Sequence, residues 1–112
     1  MARVLLVEDD LDQLELRRLL FERAGHQVFR ANSYQEALVY APAAEVTVMD
    51  LRLRSVDNGL QLIRDLKAQL PRMRIIVTSG FLEPLEQAPE RSLVDLQYQK
   101  PVTPSLLLEA VR

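Results

Sequence analysis

The chain has 112 residues, about the length of one domain, and 48% of them are hydrophobic while 27% are charged. This composition excludes a disordered chain and a fibrous repeat. The formal charge of −2 disfavours a nucleic-acid or anionic-membrane partner. The absence of cysteine excludes a disulfide framework and a thiolate metal site. The apolar run at residues 1–7 is too short for a signal peptide or a membrane span, so we expect a cytoplasmic protein.

The first quarter of the chain predicts a strand, a helix and a second strand. Residues 3–7 are apolar except for Arg3, and this pattern is typical of a buried parallel strand. Asp10, followed three residues later by Gln13, predicts the capped start of a helix that ends at Gly25. Residues 27–31 predict a second, weaker strand.

The next segment predicts a short helix, a third strand and a loop. Ser33 and Glu36 have the spacing of a capping box, and Pro42 ends the helix that they begin. Residues 46–49 predict the third strand. Residues 51–58 are polar and are interpreted as a loop.

The second half continues the alternation of helices and strands. Apolar residues at helical spacing predict a helix that Gly59 opens and that stops before Pro71. Residues 74–79 predict a fourth strand, and residues 93–99 contain a fifth with a poorer pattern.

The two remaining helices are indicated by proline and threonine. Pro84 and Pro89 allow only a short or irregular helix between the fourth and fifth strands. Thr103 as a cap and Pro104 in the first turn predict a final helix through Val111.

Five strands that alternate with helices predict an α/β fold, a doubly wound parallel sheet with helices on both faces. For five strands we expect the flavodoxin-like order 2-1-3-4-5, in which functional groups collect outside the carboxyl ends of the strands. Residues 1–112 are expected to form a single domain, either a single-domain regulator or a piece of a longer regulator or hybrid kinase.

Polar side chains end four of the five strands. Glu8 and Asp9 follow the first strand and Asp50 follows the third, so the predicted order brings three carboxylates into one crevice. Such a cluster favours either a raised pKa or a bound cation, and its all-oxygen ligands suit Mg²⁺ or Mn²⁺. Ser79 ends the fourth strand and Lys100 follows the fifth, and together with the cation they would suit phosphoryl transfer onto Asp50.

The motifs that carry this chemistry cover essentially the whole chain. They are Val4-Leu5-Leu6-Val7-Glu8-Asp9-Asp10, Val48-Met49-Asp50-Leu51-Arg52-Leu53, Gly59, Ile76-Val77-Thr78-Ser79-Gly80 and Lys100-Pro101. With them the chain resembles the response-regulator receiver domains, the phosphoacceptor modules of two-component signalling. The resemblance implies a signalling domain rather than an enzyme, and it implies self-phosphorylation and autodephosphorylation as its only catalysis.

The resemblance also implies a role for each site residue. Asp50 would be the phosphorylated residue, Ser79 the switch hydroxyl, and Lys100 the phosphate-binding lysine, held by what is usually a cis peptide bond to Pro101. Asp9 and Asp50 would ligate Mg²⁺ directly, Arg52 would lend its backbone carbonyl, and Glu8 would act through water. The implied partners are a histidine kinase or phosphotransfer protein and a downstream effector, and homodimerisation is left open.

The sequence departs from the family pattern at two places. Arg54 stands where a proline is usual, and Gly59 follows Asp50 by nine residues where eight are usual, so one residue is inserted. Gln97 stands at the position of the switch aromatic, and strand alternation directs Tyr98 to the opposite side of the sheet. We therefore expect the signal to leave Ser79 mainly through residues 81–89, as a mobile segment that becomes ordered.

Two other functions are weighed against the phosphorylation switch. A degenerate receiver would act as a phosphorylation-independent interaction module, but Glu8, Asp9, Asp50, Ser79 and Lys100 are all present. A haloacid-dehalogenase-like phosphatase also forms an aspartyl phosphate, but it expects an Asp-x-Asp pair after the first strand and a larger cap.

Overall fold

The computed structural model describes residues 1–112 and contains one five-stranded parallel sheet in the order β2-β1-β3-β4-β5. The strands are β1 (Arg3–Val7), β2 (Gln27–Ala31), β3 (Val46–Asp50), β4 (Arg74–Ser79) and β5 (Leu96–Gln99). The predicted fold class and strand order are therefore confirmed.

Five α-helices connect and cover the strands. They are α1 (Leu11–Arg23), α2 (Tyr34–Tyr40), α3 (Val56–Gln69), α4 (Glu83–Glu86) and α5 (Pro104–Ala110), and two 3₁₀ helices lie at Ala41–Ala43 and Pro89–Leu93. None of the helices has both the length and the apolar character that crossing a membrane requires.

The sheet separates two apolar cores because successive side chains of a strand point to opposite faces. On one face, Val48 and Ile76 pack with buried residues of α1 and α5, such as Phe21 and Leu107. On the other face, strand residues such as Met49 pack with buried residues of α2, α3 and α4. With both faces covered, the polar groups of the central strands can reach solvent at the strand ends.

The sequence prediction was wrong at the start of α3. The helix begins at Val56, within the segment interpreted as a loop, and Ser55 is its N-cap, with Oγ accepting from the Asn58 backbone N–H at 3.1 Å. Periodicity missed this turn because Asp57 and Asn58 are exposed and polar.

Smaller differences concern the ends of four other elements. β3 includes Asp50, and β5 begins at Leu96 because Leu93 belongs to a 3₁₀ helix. Asp10 caps α1 as predicted, but the side chain of Gln13 accepts from Lys100 rather than completing a capping box. α5 ends at Ala110, and the Thr103 side chain forms no capping hydrogen bond.

Gly59 lies inside α3, where the helix packs against the backbone that follows β3. A Cβ atom at this position would stand 1.7 Å from the carbonyl oxygen of Leu51. Only glycine permits such an approach. Gly59 therefore sets the separation between α3 and the segment next to Asp50.

Candidate functional site

Three carboxylates meet at the carboxyl ends of β1 and β3, as predicted. Glu8 and Asp9 follow β1 and Asp50 ends β3, and one oxygen from each of the three lies within 4.8 Å of the others. Glu8 is 1% exposed and Asp50 is 8% exposed, whereas Asp9 is open to solvent. The adjacency of β1 and β3 in the sheet produces this cluster.

Lys100 contacts two of the carboxylates from the end of β5. It follows β5, its peptide bond to Pro101 is cis, and its Nζ lies 3.0 Å from Asp50 Oδ2 and 3.3 Å from Glu8 Oε2. Its third contact is Gln13 Oε1 at 3.2 Å. Because an ammonium group has three N–H donors, these contacts use all of them.

Arg17 is the second cation beside the three carboxylates, and it was not among the site residues predicted from the sequence. Its Nη1 donates to Thr78 Oγ1 at 3.1 Å and lies 3.7 Å from Glu8 Oε2. The side chain is only 11% exposed. Its spacing from the buried residues Leu14 and Phe21 was an available signal, because residues three and four apart share a helix face.

Burial and charge together raise the pKa of Glu8. The largest cause is desolvation, and the negative charge of Asp50 adds to it, while Lys100 and Arg17 act in the opposite direction. Burial also lowers the pKa of Arg17, against the attraction of Glu8 and Asp50. The two cations thus offset part of the cost of the buried carboxylates.

The loop between β3 and α3 holds both aspartates through backbone N–H groups. The Arg52 N–H donates to Asp50 Oδ1 at 3.1 Å, and the Arg54 N–H donates to Asp9 Oδ2 at 3.1 Å. Arg54 has φ 64°, in the left-handed region. The residue that replaces the expected proline is therefore the one whose amide contacts Asp9.

Ser79 lies at the end of β4, but the hydrogen bonds of its hydroxyl are to Phe81 and not to a carboxylate. Its Oγ donates to the Phe81 carbonyl at 3.0 Å and accepts from the Phe81 N–H at 3.2 Å. β4 is the neighbour of β3, with Asp50 opposite Thr78 in the register. To bind a group on Asp50, Ser79 would have to exchange its bonds to Phe81.

Gln97 and Tyr98 point to opposite faces of the sheet, as predicted. Tyr98 packs beside the core under α1 and α5, whereas Gln97 lies opposite Val77, which belongs to the core under α3 and α4. Gln97 Oε1 is buried and has no hydrogen-bond partner. Tyr98 therefore does not take the place of an aromatic at position 97.

The carboxylates form a donor set that could hold a small divalent cation. Glu8, Asp9 and Asp50 offer oxygen ligands only, and Mg²⁺ prefers a few carboxylates together with water. Asp9 is exposed, so the cluster has an open side for water ligands.

Three comparisons with known proteins point to the same kind of domain. The family model described as the response regulator receiver domain matches residues 4–112. The alginate biosynthesis transcriptional regulatory protein AlgB of Pseudomonas syringae pv. tomato is 34% identical over 81 residues, which are 70% of this chain and 18% of that regulator. The chain thus spans less than a fifth of that relative.

Two solved structures share the fold over the whole chain. A response regulator receiver domain protein from Clostridium thermocellum has a TM-score of 0.87 and 25% identity, covering 99% of this chain and 91% of the other. A response regulator protein from Burkholderia pseudomallei has a TM-score of 0.86 and 28% identity, covering 100% and 67%. The latter structure contains a phosphorylated aspartic acid, a calcium ion and citrate.

Proposed function

The chain belongs to the response regulator receiver domain family, and on this premise we propose that it is a phosphorylation switch in which Asp50 accepts the phosphoryl group. A histidine kinase or a histidine phosphotransfer protein would be the donor. A downstream effector domain or protein would read the modified surface.

The observation that carries this proposal is the contact between Lys100 and Asp50. Lys100 Nζ lies 3.0 Å from Asp50 Oδ2, so a positive charge lies next to the carboxylate that would carry the phosphoryl group and is available to pair with its oxygens. Positioning and charge neutralisation supply most of the catalysis in phosphoryl transfer. The carboxylate keeps a small exposed area, with a side chain 12% accessible, through which a donor can approach.

In the proposed reaction, an Asp50 carboxylate oxygen forms a bond to phosphorus as the P–N bond of phosphohistidine breaks, and the imidazole leaves. Glu8, Asp9, Asp50 and the Arg52 carbonyl would hold Mg²⁺, which would neutralise charge on the phosphoryl oxygens when bound. Lys100 would pair with the transferred group. The Ser79 hydroxyl would donate to one of its oxygens after leaving Phe81.

Phosphorylation from a small donor tests the proposal directly. Acetyl phosphate with Mg²⁺ should add one phosphoryl group to the chain, measured by intact-mass spectrometry, and Asp50→Asn should abolish the addition. Asp57→Asn is the matched control because Asp57 is an exposed aspartate outside the cluster, in the first turn of α3. A phosphoryl group retained on the Asp50→Asn variant would contradict the proposal by showing that another residue is the acceptor. No phosphoryl group on the wild type would also contradict it and would favour a phosphorylation-independent interaction module.

Metal binding is tested separately by calorimetry. The wild type should bind Mg²⁺ weakly, more weakly at acid pH because the ligands must be deprotonated. Asp9→Ala should lose most of that binding because it removes one of three clustered carboxylates. Equal affinities of the two proteins would show that the cation binds elsewhere.

A further inference from the structure

We infer that Arg17 is a positioning residue of the phosphoacceptor site, which disfavours a divalent cation bound alone and favours the cation bound together with a phosphoryl group. The inference rests on the proposed function, because it concerns the same carboxylates. Its basis is the place of the Arg17 side chain, which lies beside the carboxylate of Glu8 and is bonded to the hydroxyl of Thr78.

The guanidinium of Arg17 is held in a defined position. It donates to Thr78 Oγ1 at 3.1 Å, and Thr78 is completely buried in β4. With this hydroxyl as an anchor, Nη1 stays 3.7 Å from Glu8 Oε2. The side chain is largely removed from water, so its charge is screened less than that of a surface arginine.

Lys100 pairs with two carboxylates, and Arg17 pairs with one of the same two, Glu8. At present Lys100 Nζ contacts both Glu8 and Asp50, at 3.3 and 3.0 Å. Without Arg17, Glu8 would have Lys100 as its only cationic partner. With Arg17 present, Lys100 can move toward a group on Asp50 while Glu8 keeps a positive neighbour.

The charge balance indicates which state Arg17 favours. When all five groups are ionised, three carboxylates face two cations, which leaves one net negative charge. A divalent cation alone would make the cluster net positive by one charge. A dianionic phosphoryl group on Asp50 adds one more negative charge, so the cluster with cation and phosphoryl group is neutral.

Removal of the Arg17 charge should therefore shift two affinities in opposite directions. For Arg17→Met we expect the dissociation constant for Mg²⁺ to fall about three- to tenfold, and that for beryllofluoride at saturating Mg²⁺ to rise by a similar factor. Beryllofluoride is the probe because it adds one negative charge to Asp50, as phosphorylation does. Arg17→Lys, which keeps the charge, should restore both constants toward the wild type.

The opposite signs separate this role from a structural one, since a disturbed fold would weaken both ligands. Arg18→Met is the control: Arg18 is the next residue of α1, and its guanidinium pairs with Glu15 and Glu22 away from the cluster. Calorimetry measures both constants, and Arg17→Gln serves if Arg17→Met does not fold.

The possible results distinguish the two hypotheses. Mg²⁺ binding that fails to tighten in Arg17→Met or Arg17→Gln, or two affinities that move in the same direction in these variants, would overturn the role of Arg17. A wild type that binds Mg²⁺ but no beryllofluoride would instead overturn the proposed function, whatever the Arg17 variants do with Mg²⁺.

Discussion

Replacement of Gly59 by alanine is the sharpest test of the close packing of α3 against the segment that follows β3. The added Cβ would lie 1.7 Å from the Leu51 carbonyl oxygen and 2.7 Å from its carbon, whereas ordinary contact begins at 3.4 Å. To bring the Cβ atom and the Leu51 oxygen from 1.7 Å to the contact distance of 3.4 Å, α3 and the segment after β3 would have to separate by about 1.7 Å. The clashing atoms belong to backbone, so no side-chain rotation can relieve the overlap.

Two opposing effects decide the sign of the stability change. Alanine is favoured over glycine by about 1 kcal/mol inside a helix. Overpacking of a filled interior costs about 1–3 kcal/mol and more when backbone must move. Because the overlap at Leu51 is with backbone, we expect its cost to exceed that range, at about 3–5 kcal/mol. Less the helix gain of about 1 kcal/mol, this is a net loss of about 2–4 kcal/mol in the free energy of unfolding, or roughly 8–17 °C in Tm.

The other two glycines are matched controls for this substitution. Gly25 has φ 91° and open space around it, so Gly25→Ala should cost only the strain of a left-handed alanine, about 1 kcal/mol. Gly80 has open space and no positive φ, so Gly80→Ala should be nearly neutral. Urea denaturation followed by circular dichroism measures all three. A Gly59→Ala variant as stable as Gly80→Ala would refute the close approach.

Three further predictions concern the pH dependence of stability, the bound phosphoryl group and its readout. The hydrogen bond from Arg64 lowers the pKa of Glu90, so ionised Glu90 stabilises the fold above its ordinary pKa, and this contribution is lost as pH falls through the lowered value. Glu90→Gln should therefore lower the urea midpoint near neutral pH but not in acid. A loss of stability that is the same at every pH would contradict the ion pair. Lys100→Ala should reduce phosphorylation by acetyl phosphate in a mass assay while leaving a residual signal, and an undiminished yield would refute its role. With beryllofluoride, the largest backbone NMR shifts should fall on residues 81–89 rather than around Tyr98, because the Ser79 hydroxyl is bonded to the Phe81 backbone.

The sheet was predictable because its signals are local and repeated. The predicted bounds of β1, β2 and β4 are the observed ones, and the order of strands followed from general rules for parallel sheets. Once the order was known, the meeting of Glu8, Asp9 and Asp50 followed, since polar residues at the ends of neighbouring strands share one edge. The carboxylate cluster therefore needed no long-range information beyond topology.

The parts that were missed depend on contacts between distant residues. Arg17 occupies a buried position in α1 because Glu8 and Thr78 compensate its charge and its donors, and neither partner is visible in the periodicity of the helix. The direction of the Ser79 hydroxyl is likewise decided by the turn at Phe81. The sequence pattern predicted that Ser79 lies at the carboxyl end of β4, but it could not predict that the hydroxyl bonds to Phe81.

The loop between β3 and α3 accommodates the inserted residue between Asp50 and Gly59 without separating Gly59 from Leu51 or Arg54 from Asp9. Arg54 takes a left-handed conformation, and a bridge between Leu53 and Ser55 closes the turn just before α3. Gly59 can then still pack on Leu51. Because the Arg54 N–H also contacts Asp9, the same turn connects the packing of α3 to the exposed carboxylate of the cluster. A change in the packing of α3 should therefore alter the position of Asp9, which is one of the proposed Mg²⁺ ligands.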